Sequence, residues 1–133
     1  MQRRKFIDSK AGLVVACITA LATMHMPASA ADKDQALVGC QYDDFKTKVK
    51  YFSRVVELNV FLSRVIDKNT EAFKQYLIKE HGLPASIYVS PCAYTFLNAQ
   101  VRPVNAQFEL NKSSAPRQGY TVVETNFRPF QVD

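Results

Sequence analysis

Residues able to do chemistry are sparse in this chain. From residue 31 to the C-terminus there is one histidine, His81, two cysteines, Cys40 and Cys92, and no methionine. That inventory lacks the C-x-x-C-H of haem attachment, the paired C-x-x-C of zinc and iron–sulfur sites, and the His-Cys-Met set of copper, so neither a metal site nor a cofactor is expected. His81 follows Glu80 at the end of a predicted helix, where the helix dipole suits a polar cap. As a catalytic base it would need a nucleophile, and no G-x-S-x-G or similar context marks one. The acids Asp43, Asp44, Glu57, Asp67, Glu71, Glu80, Glu109 and Glu124 show no spacing that selects a pair. Glu109 and Glu124, which could face each other across a last hairpin, come nearest to the two carboxylates a cofactor-free hydrolase needs, although a cross-strand surface position is the default reading.

Charge excludes another class. The chain carries +5 overall, but Arg3, Arg4, Lys5 and Lys10 against Asp8 put +3 in the first ten residues. Residues 31–133 hold thirteen Lys or Arg and eleven Asp or Glu, a net of +2. A nucleic-acid binder displaces phosphate counterions with clustered positive charge, and this body has little.

The basic start precedes an apolar run, AGLVVACITALATMHM at residues 11–26, then Pro27 and the small-x-small exit Ala28-Ser29-Ala30. A charged segment, an apolar segment and a small-residue exit make a secretory leader, with cleavage expected after Ala30. An uncleaved anchor would need roughly 20 apolar residues to span a bilayer core. Lipid attachment at Cys17 would strand much of the apolar run in the mature chain.

Arg3-Arg4-Lys5-Phe6-Ile7 resembles the core of the twin-arginine export signal: two arginines, any residue, then two apolar residues with Phe favoured first. Gln2 and Asp8 depart from the residues common at the flanks, and the general secretory route accepts any positive start. The resemblance implies a passenger that folds before crossing, often around a cofactor. With so few ligands in the body, it would more naturally mean travel with a partner or cytoplasmic folding for another reason. It covers residues 1–30 only and implies nothing about the fold beyond them.

Export changes the meaning of the cysteines. Cys17 leaves with the leader, and Cys40 and Cys92 arrive in an oxidising compartment, where two lone cysteines pair. A redox-active couple would want close spacing and an electropositive helix start, so the expected bond is structural.

The elements that must position these residues are read from periodicity. Tyr42, Phe45, Val49, Phe52 and Val56 recur at helical spacing, with Asp43 and Asp44 in the first turn and Lys46, Lys50 and Arg54 on a second face. Residues 56–66 are read as the continuation of that helix, with strand as the alternative. A second helix, capped by Asn69 or Thr70, runs to His81 and stops at Gly82-Leu83-Pro84. Strands are expected at 86–90, 93–101 (or a short helix there), 104–111 and 120–127, with a turn-rich link at 111–119. Pro129 ends the last strand and blunts an edge. The expected fold is α+β: two N-terminal helices packed on a small antiparallel sheet of three to four strands with one disulfide, in a single mature domain, 31–133.

These observations point to a small exported envelope protein, periplasmic or secreted, acting by protein–protein interaction as an accessory subunit, inhibitor or adaptor. Its expected partner is another envelope protein, with no stable membrane insertion after cleavage. Candidate partner-binding residues are Lys46, Lys50 and Arg54 on the basic face and Arg128 and Phe130 in the tail. The alternatives are a module enclosing a small ligand in an apolar pocket, and a cofactor-free hydrolase using acidic residues.

Overall fold

The computed structural model describes residues 34–60 and 63–132. The leader at 1–30, with its twin-arginine core and cleavage site, lies outside the described residues. So do Phe61 and Leu62 of the segment expected to be helical.

The described chain runs β1 (Gln35–Gly39), β2 (Gln41–Asp44), β3 (Val49–Phe52), β4 (Val56–Asn59), α1 (Arg64–His81), β5 (Ala93–Phe96), α2 (Val104–Ser114), a 3-10 turn (Ala115–Gln118) and β6 (Thr121–Glu124). The strands form two three-stranded sheets, β4-β1-β5 and β2-β3-β6. The first is wholly antiparallel, whereas β3 and β6 run parallel. The α+β class and the Cys40–Cys92 disulfide are present. The expected pair of N-terminal helices on one small antiparallel sheet is overturned: four strands precede the first described helix.

The reason lies at Asp44. Its carboxylate accepts from the Lys46 N–H (3.0 Å) and the Thr47 hydroxyl (2.7 Å), and Lys48 takes the left-handed conformation (φ 58°) that closes the turn. The side chain read as a helix-start acid therefore folds the chain back into the β2–β3 hairpin. Val56–Asn59 is likewise strand, and α1 begins only at Arg64. Residues 86–90 form irregular chain where a strand was expected, and 104–111 lies in α2. Val104 and Phe108, two of that supposed strand's alternating residues, are also i,i+4 on a helix, and they are its buried pair.

Only Cys40 separates β1 from β2, and Ser53–Val55 separates β3 from β4, so one long ribbon links the two sheets. Register changes along it: Val38 faces Val56 but Gln41 faces Phe52. Two residues, Gly39 and Cys40, thus oppose three, Ser53 to Val55, which defines a β-bulge. The Ser53 N–H donates to the Cys40 carbonyl (2.8 Å), and the Cys40 N–H to Ser53 Oγ (2.7 Å). At Gly39 an added Cβ would meet the Phe108 ring at 2.7 Å, so glycine is what lets α2 lie close at the bulge.

Each side of the ribbon carries its own core. On one side Val65, Ile66, Phe73 and Leu77 of α1 pack with Val38, Cys40, Tyr51 and Leu58. On the other, Phe52, Val104 and Phe108 form a smaller cluster with Val55 and Val122 at its margin. Helix α1 stops as the sequence predicts, at Gly82 in the left-handed conformation (φ 67°). Asn69, expected to cap its start, is instead fully buried in its middle.

Candidate functional site

The bulge and the end of β6 build a groove of about 400 Å³ over the α2 side of the ribbon. Thr125 fixes the tail there, donating from its N–H (2.8 Å) and its hydroxyl (2.9 Å) to the Phe52 carbonyl. The Arg54 N–H then donates to the Phe127 carbonyl (2.9 Å). This pairing brings Arg54 of the bulge and Arg128 of the tail to the same groove, with Asn105, Glu109, Lys112, Glu124 and Asn126 also lining it.

Lys112 Nζ reaches Glu124 (2.6 Å) and Glu109 (3.1 Å) and lies 5.5 Å from the centre of the Phe52 ring. Burial pushes the Lys112 ammonium down, but its hydrogen bonds to Glu124 and Glu109 outweigh this and hold it above the usual lysine range. The Lys112 hydrogen bond and charge, with Arg54 nearby, hold the Glu124 carboxyl below the usual carboxylate range. Glu109 and Glu124 are linked through a helical lysine; the hairpin across which they could have faced each other is absent, because Glu109 lies on α2.

The five candidate partner-binding residues separate. Arg54 and Arg128 share the groove, and no ion pair reaches either of them among the described residues. Lys50 is tied to Asp43 (2.8 Å) and lies over the Tyr120 ring (4.6 Å). Its partner Asp43 also accepts from Gln41, which accepts from Asn111 of α2. Lys46 sits exposed in the β2–β3 turn. Phe130 is exposed at the far end of the tail, its N–H and C=O both bonded to the Asn69 side chain at 2.8 Å.

A second, aromatic groove of about 710 Å³ lies between the β2–β3 turn and the chain after α1. Tyr42 and Tyr51 stack within it, and His81 packs edge-on to Tyr51. Burial, then the Asp44 charge, raises both tyrosine hydroxyls above their usual range, so they remain hydrogen-bond donors. His81 thus ends α1 between two tyrosine rings, Tyr51 and Tyr76.

Reasoning from sequence missed Lys112 and misplaced Asn69 as a helix cap. The i,i+3 spacing of Glu109 and Lys112 is a helix signal, hidden by the strand-like alternation beside it. An amide on the apolar stripe of α1 is the signal for Asn69, because a buried polar side chain must find partners.

Among the described residues no three His, Cys, Asp or Glu side chains are grouped to hold a metal ion. No helix among them is long and apolar enough to cross a membrane. No protein-family model matches the chain, and comparison with curated proteins and with solved structures finds no similar protein. The functional reading therefore stands on the site alone.

Proposed function

We propose that this is a small exported protein, released from its leader at residues 1–30 by the twin-arginine or the general secretory route, that works in the periplasm or outside the cell by binding another protein. Its working face is the groove at the β-bulge, and its target is a carboxylate-bearing segment of the partner. One observation carries this reading: Lys50 and Lys112 are neutralised within the chain, whereas the guanidiniums of Arg54 and Arg128 line one groove and neither forms an ion pair within 4 Å among the described residues. Guanidinium is permanently charged, and its planar fork matches a carboxylate.

The aromatic groove supports a second reading, a module for a small apolar or aromatic ligand with acceptors for the Tyr42 and Tyr51 hydroxyls. The hydrolase reading is less well served. A general acid needs a carboxyl held protonated, and Lys112 favours the charged form of Glu124.

Recovery of the protein from the periplasm separates these readings. A mature chain beginning at Ala31 supports export. A stoichiometric acidic protein partner supports the first binding mode, and a retained small molecule the second. With that partner purified, Arg54→Glu with Arg128→Glu is expected to weaken binding by roughly a hundredfold and to abolish most of its salt dependence, with thermal unfolding unchanged. Undiminished binding by the double variant overturns the groove as the partner site.

A further inference from the structure

Both edges of the β4-β1-β5 sheet are met by other parts of the chain. On β4 the Asn59 N–H and carbonyl bond to the Gln131 side-chain amide, both at 2.9 Å. Before β5 the Cys92 N–H donates to Thr70 Oγ1 of α1 (2.9 Å). Cys92 lies opposite Cys40, with their Cα atoms 4.3 Å apart. Next in line is Pro91, which has no N–H to offer a ladder. The line of β5 therefore stops short of β2, the outermost strand of the β2-β3-β6 sheet.

The backbone groups that β2 presents on its outer edge follow from the bonding of β3. The Thr121 N–H donates to the Lys48 carbonyl (2.9 Å) and the Thr125 N–H to the Phe52 carbonyl (2.8 Å). Lys48, Lys50 and Phe52 thus face β6, which leaves Val49 and Tyr51 to face β2. Their opposite residues, Asp44 and Tyr42, turn their N–H and carbonyl groups inward to them. Gln41 and Asp43 turn theirs outward, and none of those backbone groups has a hydrogen-bond partner among the described residues.

Beside this edge lies open space of about 440 Å³, lined by Gln41 and Asp43 with Ser90, Pro91, Gln107 and Asn111. Ser90 and Pro91 border it without a hydrogen bond to β2. On one flank stands α2, whose Asn111 donates to Gln41 Oε1 (2.9 Å). On the other are Tyr42, stacked on Tyr51, and Tyr88, which is 78% exposed. A slot walled on both flanks admits one extended segment and excludes a second three-stranded sheet. Charged side chains commonly guard a free edge, but here Asp43 is engaged by Lys50 (2.8 Å) and Asp44 by its own turn.

We propose that β2 takes up an extended segment of a partner protein as an added strand, antiparallel to β2 and in line with β5. The segment residues facing Gln41 and Asp43 each exchange an N–H and a carbonyl bond with them. Strand alternation then fixes the chemistry of the segment. Those two residues set their side chains on the α2 flank, among the Gln107 and Asn111 amides, where hydroxyl or amide groups fit. The residue between them faces Tyr42 and sets its side chain against Tyr42 and Tyr88, where an apolar group fits. The recognised sequence is therefore polar, apolar, polar. This inference rests on the reading of the chain as a binding protein, but no residue of β2 lines the Arg54–Arg128 groove, so either surface can fail without the other.

Selection from a displayed library of random hexapeptides, followed by titration of the best capped peptide into the isotope-labelled protein, tests the added strand. Enrichment of the polar, apolar, polar pattern is expected, with hydrogen exchange at the Gln41 and Asp43 amides slowed by about tenfold or more at saturation. Methylating the peptide nitrogen of a residue that faces Gln41 or Asp43 is expected to weaken binding by about tenfold. The same change at the central residue, whose N–H points away from β2, leaves the affinity as it was. These changes are made in the peptide, so the fold of the chain is not at stake. Tyr88→Ala, at an exposed side chain, is expected to weaken binding about fivefold. A library that yields no binder, equal weakening by methylation at every position, or a bound peptide that leaves the Gln41 and Asp43 amides unprotected overturns the proposal. Protection confined to Tyr51 and His81 would place the ligand in the aromatic groove and overturn it too.

Discussion

Helix α1 and helix α2 cover opposite sides of one ribbon, yet the two sides are built of different material. Beneath α1 lie the large aliphatic and aromatic cluster and the disulfide, and Asn69 ties the C-terminal tail to that helix. Beneath α2 three buried residues, Phe52, Val104 and Phe108, are bordered by a polar network running Gln107, Asn111, Gln41, Asp43, Lys50, with Lys112 between two glutamates beside it. The first side can supply most of the stability because apolar burial and a covalent link involve no ionic contact that pH or moderate salt would weaken. The second holds ionic contacts that salt and pH can change, and Arg54 and Arg128, which form no ion pair among the described residues, open onto it. On the proposed reading, stability and recognition occupy separate faces of a domain small enough that a shared face would set them in conflict.

Truncating the same residue type on each side is the strongest way to break this contrast. Phe73, fully buried and packed on Phe127, is expected to lose about 4–5 kcal/mol on change to Ala, against about 3 kcal/mol for Phe108→Ala, in urea unfolding. Equal losses would mean that the two cores carry equal weight. Next in size is Asn69→Ala, which removes both tail bonds to Phe130 and is expected to cost about 1–3 kcal/mol. Hydrogen exchange should quicken at the Phe130 amide while the amides of Lys50 on the ribbon and Val122 on β6 keep their rates. The smallest effect is on the α2 side. The folded-state pKa of Glu124 is depressed, so its contribution is present above the unfolded carboxyl pKa and is lost as pH falls through the folded value. Lys112→Met should flatten that acid-side loss, with a change in stability at neutral pH within about 1 kcal/mol because both carboxylates are largely exposed. An unchanged acid profile would remove Lys112 as its source.

The contrast also explains which elements could be read in advance. Gly82 ended a helix because a left-handed cap is a local property of glycine, and β6 fell within the strand expected at 120–127. The β2–β3 hairpin was misread because helices cover both of its faces. Tyr51 and Phe52 are neighbours buried on opposite sides, so the alternation that marks a half-buried strand is missing and the apolar residues fall by chance at helical intervals. Residues 104–111 failed the other way: a short helix with one buried i,i+4 pair is compatible with an alternating pattern. The groove was legible only in its parts. Arg54 and Arg128 were named, but 74 positions apart in the chain, and only a bulge that lends the Arg54 N–H to the tail makes them neighbours.

The sequence by itself determined the cysteine pair, the end of α1, the near-neutral charge of the body and the absence of recognisable catalytic motifs, because each is a matter of composition or of local backbone preference. Tertiary structure alone decided which side of the ribbon Tyr51 and Phe52 face and that Lys112 is neutralised by Glu124. It also decided that the Gln131 side chain covers the β4 edge. Those outcomes depend on contacts between residues far apart in the chain, such as Lys112 with Glu124, Asn69 with Phe130 and Asn59 with Gln131, and no local pattern encodes such partners.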